Sequence, residues 1–201
     1  MVINGVKIMK NIILFFLLDC IMGNDVFKNV FIETDRLILR NFTHEDKNDF
    51  FSITQDPKLY ETLPEDHLYS YDEISGILNR FINQYDNNTL QNIPKFPLAI
   101  ILKESNKLIG NIGIGHYSND KSKMEIFYFI NSNYWNKGYV SEAAEVFLKY
   151  VRENKLVTSL IGTVVPGNTA SSKILTKNGF QKRQPGYMAD KHKRDIYELI
   201  I

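Results

Sequence analysis

The chain has 201 residues, 44% of them hydrophobic and 23% charged, enough for one well-formed core and too few for two. Its formal net charge is +1, with Lys and Arg scattered along the chain, which lacks the basic surplus of a dedicated nucleic-acid binder. A single cysteine, Cys20, excludes an internal disulfide framework and a cysteine-rich metal centre, and the four histidines show no zinc-protease spacing, so no metal site and a reducing, cytoplasmic location are expected.

Residues 1–30 read differently from the rest. Lys7 and Lys10 precede the apolar run Ile12 to Leu18, resembling the charged and apolar regions of a signal peptide. The run is well short of the roughly 18 residues of a spanning helix, and no small-x-small cleavage site follows it. Three readings stand: a weak signal or membrane anchor, a packed extra segment, or a start assigned too far upstream, with Met22 as a natural shorter start. The domain proper is expected over residues 31–201.

From Phe31 the pattern is orderly. Ile32, Leu37, Ile38 and Leu39 predict a first strand broken by Glu33-Thr34-Asp35-Arg36. Thr43 as N-cap, followed by His44-Glu45-Asp46, starts a helix expected to run to about Gln55 and to stop before Pro57. Lys58 to Ser70, with Pro64, predicts a loop. A second helix follows from Tyr71 to Tyr85, where Ile74, Ile77, Leu78, Phe81 and Ile82 fall at helical spacing. Phe96 to Leu102 and Leu108 to His116 predict two strands joined at Glu104-Ser105-Asn106.

Met124 to Ile130 is the next strand. It passes through Asn131-Ser132-Asn133 and turns at Trp135-Asn136-Lys137-Gly138 into a helix from Tyr139 to Asn154. Val140, Ala143, Ala144, Phe147, Leu148 and Val151 form its buried stripe. Leu156 to Val165 predicts another strand, Asn168 to Lys177 a short helix stopped by Asn178-Gly179, and Phe180 to Arg183 with Ile196 to Ile201 a last pair of strands. This order predicts one mixed α/β (α+β) domain: a mostly antiparallel sheet of about six to seven strands flanked by about four helices.

Two glycine-containing stretches invite a phosphate reading. Gly110-Asn111-Ile112-Gly113-Ile114-Gly115 reverses the spacing of a dinucleotide fingerprint and opens no helix, so it reads as a strand with small residues on one side. The turn Trp135 to Ser141 is the better anion site. Gly138 permits close backbone approach, and the helix that follows supplies N–H groups and the positive end of its dipole. Just upstream, Glu125 is a lone carboxylate among Met124, Ile126 and Phe127, a setting that raises a carboxyl pKa.

A second segment, Val165-Pro166-Gly167-Asn168-Thr169-Ala170-Ser171 leading to Lys177-Asn178-Gly179-Phe180, complements the first. Together, in this order, they resemble the two acyl-coenzyme-A motifs of the GNAT N-acetyltransferase superfamily. The resemblance is to its RimJ/RimL-type branch of ribosomal-protein N-terminal acetyltransferases. The matching residues run from Thr34-Asp35-Arg36-Leu37-Ile38-Leu39-Arg40 through Leu108-Ile109-Gly110, Glu125, Tyr134-Trp135, Lys137-Gly138-Tyr139 and Glu142-Ala143 to Asn168, Ala170-Ser171, Gly179-Phe180 and Asp195. It covers the chain from about Glu33 to the C-terminus.

The resemblance implies a direct transfer of acetyl from acetyl-CoA to a primary amine, with no metal. The pyrophosphate would lie on the backbone of Asn136, Lys137, Gly138, Tyr139, Val140 and Ser141. Trp135 and Val140 hold the first and last places of the family pattern. Pantetheine would run beside Phe129 and Ile130, whose backbone N–H groups polarise the thioester carbonyl, and would meet Asn168.

The amine must be neutral to attack, and an α-amino group with pKa about 8 is only about a tenth neutral at pH 7. The resemblance makes Glu125 the base that removes the proton. The leaving thiolate would be protonated by Ser171, because the place of the superfamily's usual tyrosine holds Leu175; a helix-capping role for Ser171 is the alternative, and Tyr187 is a fallback acid. The acceptor is either a protein N-terminus or a small amine, its site shaped by the first helices and their loop, Lys58 to Asn92; nearby, Asp56, Glu61, Glu65 and Asp66 either receive a cationic substrate or form a solvated face. The expected form is a monomer or homodimer, away from membranes. The rival reading is a non-catalytic acyl-CoA-binding or interaction module of the same fold.

Overall fold

The computed structural model describes residues 26–61, 69–187 and 192–201. The expectations for Lys7 to Met22, including Cys20, and for Pro64, Glu65 and Asp66 lie outside the described residues. Among these, no helix is long and apolar enough to cross a membrane.

Among the described residues, nine strands form one sheet in the order β1-β2-β3-β4-β5-β6-β9-β7, with β8 paired to β9. They are β1 (Phe31–Glu33), β2 (Leu37–Arg40), β3 (Lys95–Leu102), β4 (Lys107–Tyr117), β5 (Asp120–Ile130), β6 (Ser159–Val164), β7 (Gln181–Lys182), β8 (Gly186–Tyr187) and β9 (Lys193–Ile200). The count exceeds the expected six to seven for two local reasons. The polar break Thr34-Asp35-Arg36 is a tight turn, closed by Thr34 N–H to the Leu37 carbonyl at 2.9 Å, so the first strand is a hairpin. The polar loop before β9 also contributes β8, two residues long. Every pairing is antiparallel except β5 with β6.

Four helices among the described residues flank the sheet: α1 (Lys47–Thr54), α2 (Tyr71–Asn87), α3 (Tyr139–Glu153) and α4 (Thr169–Lys177). Their starts follow from capping. Thr43 and Asp46 form a capping box ahead of the 3-10 turn His44–Asp46 that leads into α1, and Ser70 and Glu73 form one for α2. Asp46, 5% exposed, is balanced by a bidentate pair with Arg40 at 2.7 and 2.8 Å.

Cross-strand register sorts the side chains into two faces. Lys95, Gly115 and Glu125 stand in one row across β3, β4 and β5, and Ala99, Asn111 and Phe129 in another on the same face. α1 and α2 cover that face: the Phe50 ring stacks on Phe129 at 6.0 Å, and Phe81 lies under the Lys95 ammonium at 5.6 Å. The opposite face carries Phe96, which meets Phe147 of α3 at 6.3 Å, and Gly162, whose missing side chain makes room for Leu175 of α4. Phe27, four residues before the expected domain start, is fully buried and meets Phe96 edge-on at 5.1 Å.

Candidate active site

β5 and β6 run parallel and pair at one register point, Glu125 with Ile161. Beyond it the strands part. Ile126 to Ile130 on one side and Gly162 to Val165 on the other line a cavity of about 880 Å³. Because the gap lies in the sheet itself, the cavity reaches residues of both faces: Trp135, Gly138, Asn168 and Ser171 at the α3–α4 side, and Phe50, Ile77, Phe81 and Lys95 at the α1–α2 side.

At the α3–α4 side the chain makes an anion cradle. Asn136 (φ 60°) and Gly138 (φ 79°) are both left-handed, which turns consecutive N–H groups toward one spot. Gly138 is the N-cap of α3, and no side chain caps it. The first N–H groups of the helix, at Tyr139, Val140 and Ser141, have no intrahelical carbonyl to bond. Gly138, Tyr139 and Val140 line the cavity.

The cradle is latched from the other end of the chain. Arg36 donates to the Lys137 carbonyl (2.9 Å) and pairs with Glu142 (2.6 Å), while its guanidinium lies 4.6 Å from the Tyr139 ring centroid. The Thr34 hydroxyl donates to the same Glu142 carboxylate at 2.6 Å. Burial pushes the Glu142 carboxyl upward, but these donors outweigh it and hold its pKa below the usual value. The Thr-Asp-Arg turn between β1 and β2 thereby fixes the turn that precedes α3.

At the point where the strands part, the Glu125 carboxylate is largely buried and accepts a hydrogen bond from the Thr163 hydroxyl. Burial raises its pKa, against the opposing effects of the Thr163 bond and the positive charges of Lys95 and Arg194. Glu125, Thr163, Lys95 and Arg194 all line the cavity.

Ile130 contributes from the edge of β5. Asn131 N–H bonds the Ile109 carbonyl at 2.9 Å, in the same register as the rest of the β4–β5 pair. Ladder alternation then aims the Phe129 N–H at β4 and those of Tyr128 and Ile130 at the gap. Of the two expected residues, Ile130 presents its amide to the cavity and Phe129 lines it from the α1 side. Trp135 donates its indole N–H to the Ile130 carbonyl at 2.9 Å, tying the cradle to the strand edge.

Asn168 caps α4, its side-chain oxygen accepting the Ser171 N–H at 3.0 Å. Capping therefore falls to Asn168 and not to Ser171, which lines the cavity from the first turn of α4. The Tyr128 hydroxyl donates to the Ser171 carbonyl at 3.4 Å, and burial pushes its pKa up to about 12. Leu175, 2% exposed, packs over Gly162. Tyr187 is 68% exposed on β8 and lies away from the cavity.

Of the acids expected to receive the acceptor, the two among the described residues, Asp56 and Glu61, are placed otherwise. Asp56 accepts the Ser132 N–H at 2.7 Å and the Lys58 N–H at 3.1 Å, a role that secures the segment after β5. Burial opposes ionisation there, yet these bonds hold the Asp56 carboxyl below its usual range. Glu61 ends the 3-10 turn Pro57–Glu61 and is exposed. Neither lines the cavity. Thr163, Tyr128 and Asn111 do, and sequence reading passed over all three because each reads as an ordinary strand residue.

This arrangement, a sheet opened at one seam with an anion cradle on one side and a buried carboxylate at the point of parting, can be compared with known proteins. Residues 36–181 match the family model described as acetyltransferase (GNAT) domain. The chain belongs to the GNAT acetyltransferase family. Among GNAT relatives, the uncharacterized N-acetyltransferase YnaD of Bacillus subtilis (strain 168) is 30% identical over 151 residues, covering 75% of this chain and 82% of YnaD. YoaA of the same organism, also called an uncharacterized N-acetyltransferase, is 30% identical over 152 residues, covering 75% and 82%.

Solved structures share the GNAT fold. A GNAT-family acetyltransferase from Bacillus anthracis superposes with TM-score 0.68 at 24% identity, covering 85% of this chain and 98% of its own. The ribosomal-protein-S5-alanine acetyltransferase of Vibrio fischeri gives TM-score 0.72 at 16% identity, covering 85% and 96%. A RimL L7/L12 α-N-protein acetyltransferase solved with coenzyme A also gives 0.72, at 15% identity, covering 86% and 98%.

Proposed function

We propose that the chain is an acetyl-CoA-dependent N-acetyltransferase that moves acetyl directly from the thioester to a primary amine, borne by a protein N-terminus or a small molecule. The observation that carries this reading is the continuity of one cavity from the uncapped start of α3, along the open seam of the sheet, to the Glu125 carboxylate. A nucleotide-bearing thioester and an amine can reach that seam from opposite faces.

In this reading the pyrophosphate of acetyl-CoA is held by the N–H groups of the Asn136 to Ser141 turn, whose alignment suits a dianion. Asn168, capping α4 through its oxygen, keeps its side-chain NH2 for the pantetheine arm. The Ile130 N–H, aimed into the gap, donates to the thioester oxygen as negative charge grows on it.

The amine nitrogen then attacks the carbonyl carbon, a C–N bond forms, and the proton lost by nitrogen passes to Glu125, directly or through water. Burial favours this, because a carboxyl with a raised pKa is the stronger base. Collapse of the tetrahedral intermediate breaks the C–S bond, and the leaving thiolate takes a proton through the Ser171 hydroxyl, which recovers its own from solvent in the same relay.

The experiment is release of free coenzyme A from acetyl-CoA by purified protein, against a panel of peptides with different N-terminal residues and of small amines. Acceptor-dependent thiol release that drops sharply in Glu125→Gln is expected. Acetyl-CoA binding by calorimetry with no turnover on any acceptor would sink the enzymatic reading and leave a binding module.

A further inference from the structure

Asn111 is 2% exposed, lines the cavity, and its side-chain oxygen has no hydrogen-bond partner. A buried polar atom left unpaired is costly and uncommon in a folded chain. Its neighbours along and across the ladder offer it nothing to bond. Across the ladder its neighbours are Ala99 on β3 and Phe129 on β5. Along β4 the residues on its face are Ile109 and Gly113. The Gly113 site is filled from β5: a Cβ there would stand 2.6 Å from the Phe127 ring.

Asn111 is thus a single amide set in an apolar wall. That wall belongs to the α1–α2 face, the side on which Glu125 stands. The cradle and Asn168 lie on the other face, so the thioester's own anchors do not account for Asn111.

We propose that Asn111 is an acceptor-binding residue, its amide oxygen taking a hydrogen bond from an N–H group of the amine substrate. This rests on the acetyl-transfer reading, since only that reading places an amine on the α1–α2 face. The ligand class follows from the wall: an N–H donor carried on an apolar or aromatic body, which Phe50, Phe81, Phe127 and Phe129 accommodate. One N–H of the acceptor meets Asn111, and the attacking nitrogen lies toward the seam where β5 and β6 part. Binding satisfies the oxygen that folding leaves unpaired, so the site is unfavourable when empty and complementary when filled.

The test is Asn111→Leu, which keeps the branched outline and the number of heavy atoms and removes the polar atoms. Three quantities are compared with the unaltered chain: KM for the acceptor, with phenethylamine and an alanine-initiated hexapeptide as probes; the Kd of acetyl-CoA by calorimetry; and the melting temperature. The expected result is at least a tenfold rise in acceptor KM, an unchanged acetyl-CoA Kd, and a melting temperature equal to or higher than that of the unaltered chain. An unchanged acceptor KM overturns the proposal, as a trapped water would then suffice for Asn111. A fall in melting temperature, or weakened acetyl-CoA binding alongside, makes Asn111 a structural residue and also overturns it. If the unaltered chain transfers to no amine at all, the transferase reading fails first and this inference with it, an outcome told apart by the unaltered chain alone.

Discussion

The Thr163 hydroxyl donates a hydrogen bond to the Glu125 carboxylate across the seam between β5 and β6, two residues past the point where those strands are paired. Thr163 reaches Glu125 from just past that last paired position, where the strands begin to part, and it binds the ionised form of a carboxyl that burial pushes toward the neutral one. Replacing it by valine removes the opposing influence while keeping the shape. In Thr163→Val the acidic limb of the kcat/KM profile is expected to move to higher pH, because Glu125 must be ionised to act as base. A profile with the same limb would mean that another group controls it.

Glu125→Gln separates stability from activity. The folded-state pKa of Glu125 lies above its ordinary value, so the favourable contribution is complete below the unfolded-state pKa and is lost as pH rises through the folded one. Glutamine carries no charge to lose. The variant is expected to melt higher than the unaltered chain at neutral pH, with the gap closing in acid, while acetyl transfer falls by about 100-fold or more. Thermal melts across pH, read beside initial rates, check both halves.

The latch from the β1–β2 turn predicts a defect in acetyl-CoA use. Arg36→Ala removes the donor to the Lys137 carbonyl and the partner of Glu142. The pair is part-exposed, so the loss is discounted for solvent to about 1 kcal/mol, roughly fivefold in KM for acetyl-CoA. The KM for the acceptor should be unaffected. Equal changes in both constants would place the effect in overall stability and not in the cradle.

Gly110 marks where β4 and β5 approach most closely beside the site. A Cβ there would stand 2.8 Å from the Ile130 Cα and closer still to the Phe129 carbonyl oxygen, both backbone atoms that cannot turn aside. Gly110→Ala is expected to cost about 1–3 kcal/mol of stability, measured by urea denaturation. Because the strand displaced is the one that carries the Ile130 N–H, the rate should fall in the folded protein as well.

Much of the fold was legible locally. The stripe Val140 to Val151, the N-cap Thr43, the helical spacing of Ile74 to Ile82 and the turn at Asn178-Gly179 place helices within a few residues of their observed bounds. Apolar runs alone located β3, β4 and β5. What was not legible depended on distant partners. The break in the first strand became a hairpin turn, two residues of polar loop became β8 because β9 was there to pair with, and Asp56, read as either a charge for the acceptor or part of a solvated face, is engaged by the Ser132 backbone.

The sequence by itself determined most of the elements and their order and singled out Glu125 and Gly138, because periodicity, caps and glycine turns act over a few residues; Asn168 and Ser171 came from the resemblance of their segment to the GNAT motifs. Tertiary structure alone decided what those residues face. Thr163 meets Glu125 from 38 residues away, Thr34 meets Glu142 from 108, and Asn111 is left without a partner between Ala99 and Phe129. Such contacts depend on strand register and on where one parallel pair stops pairing. A one-residue slip of β4, β5 or β6 would turn Asn111, Glu125 or Thr163 to the other face of the sheet.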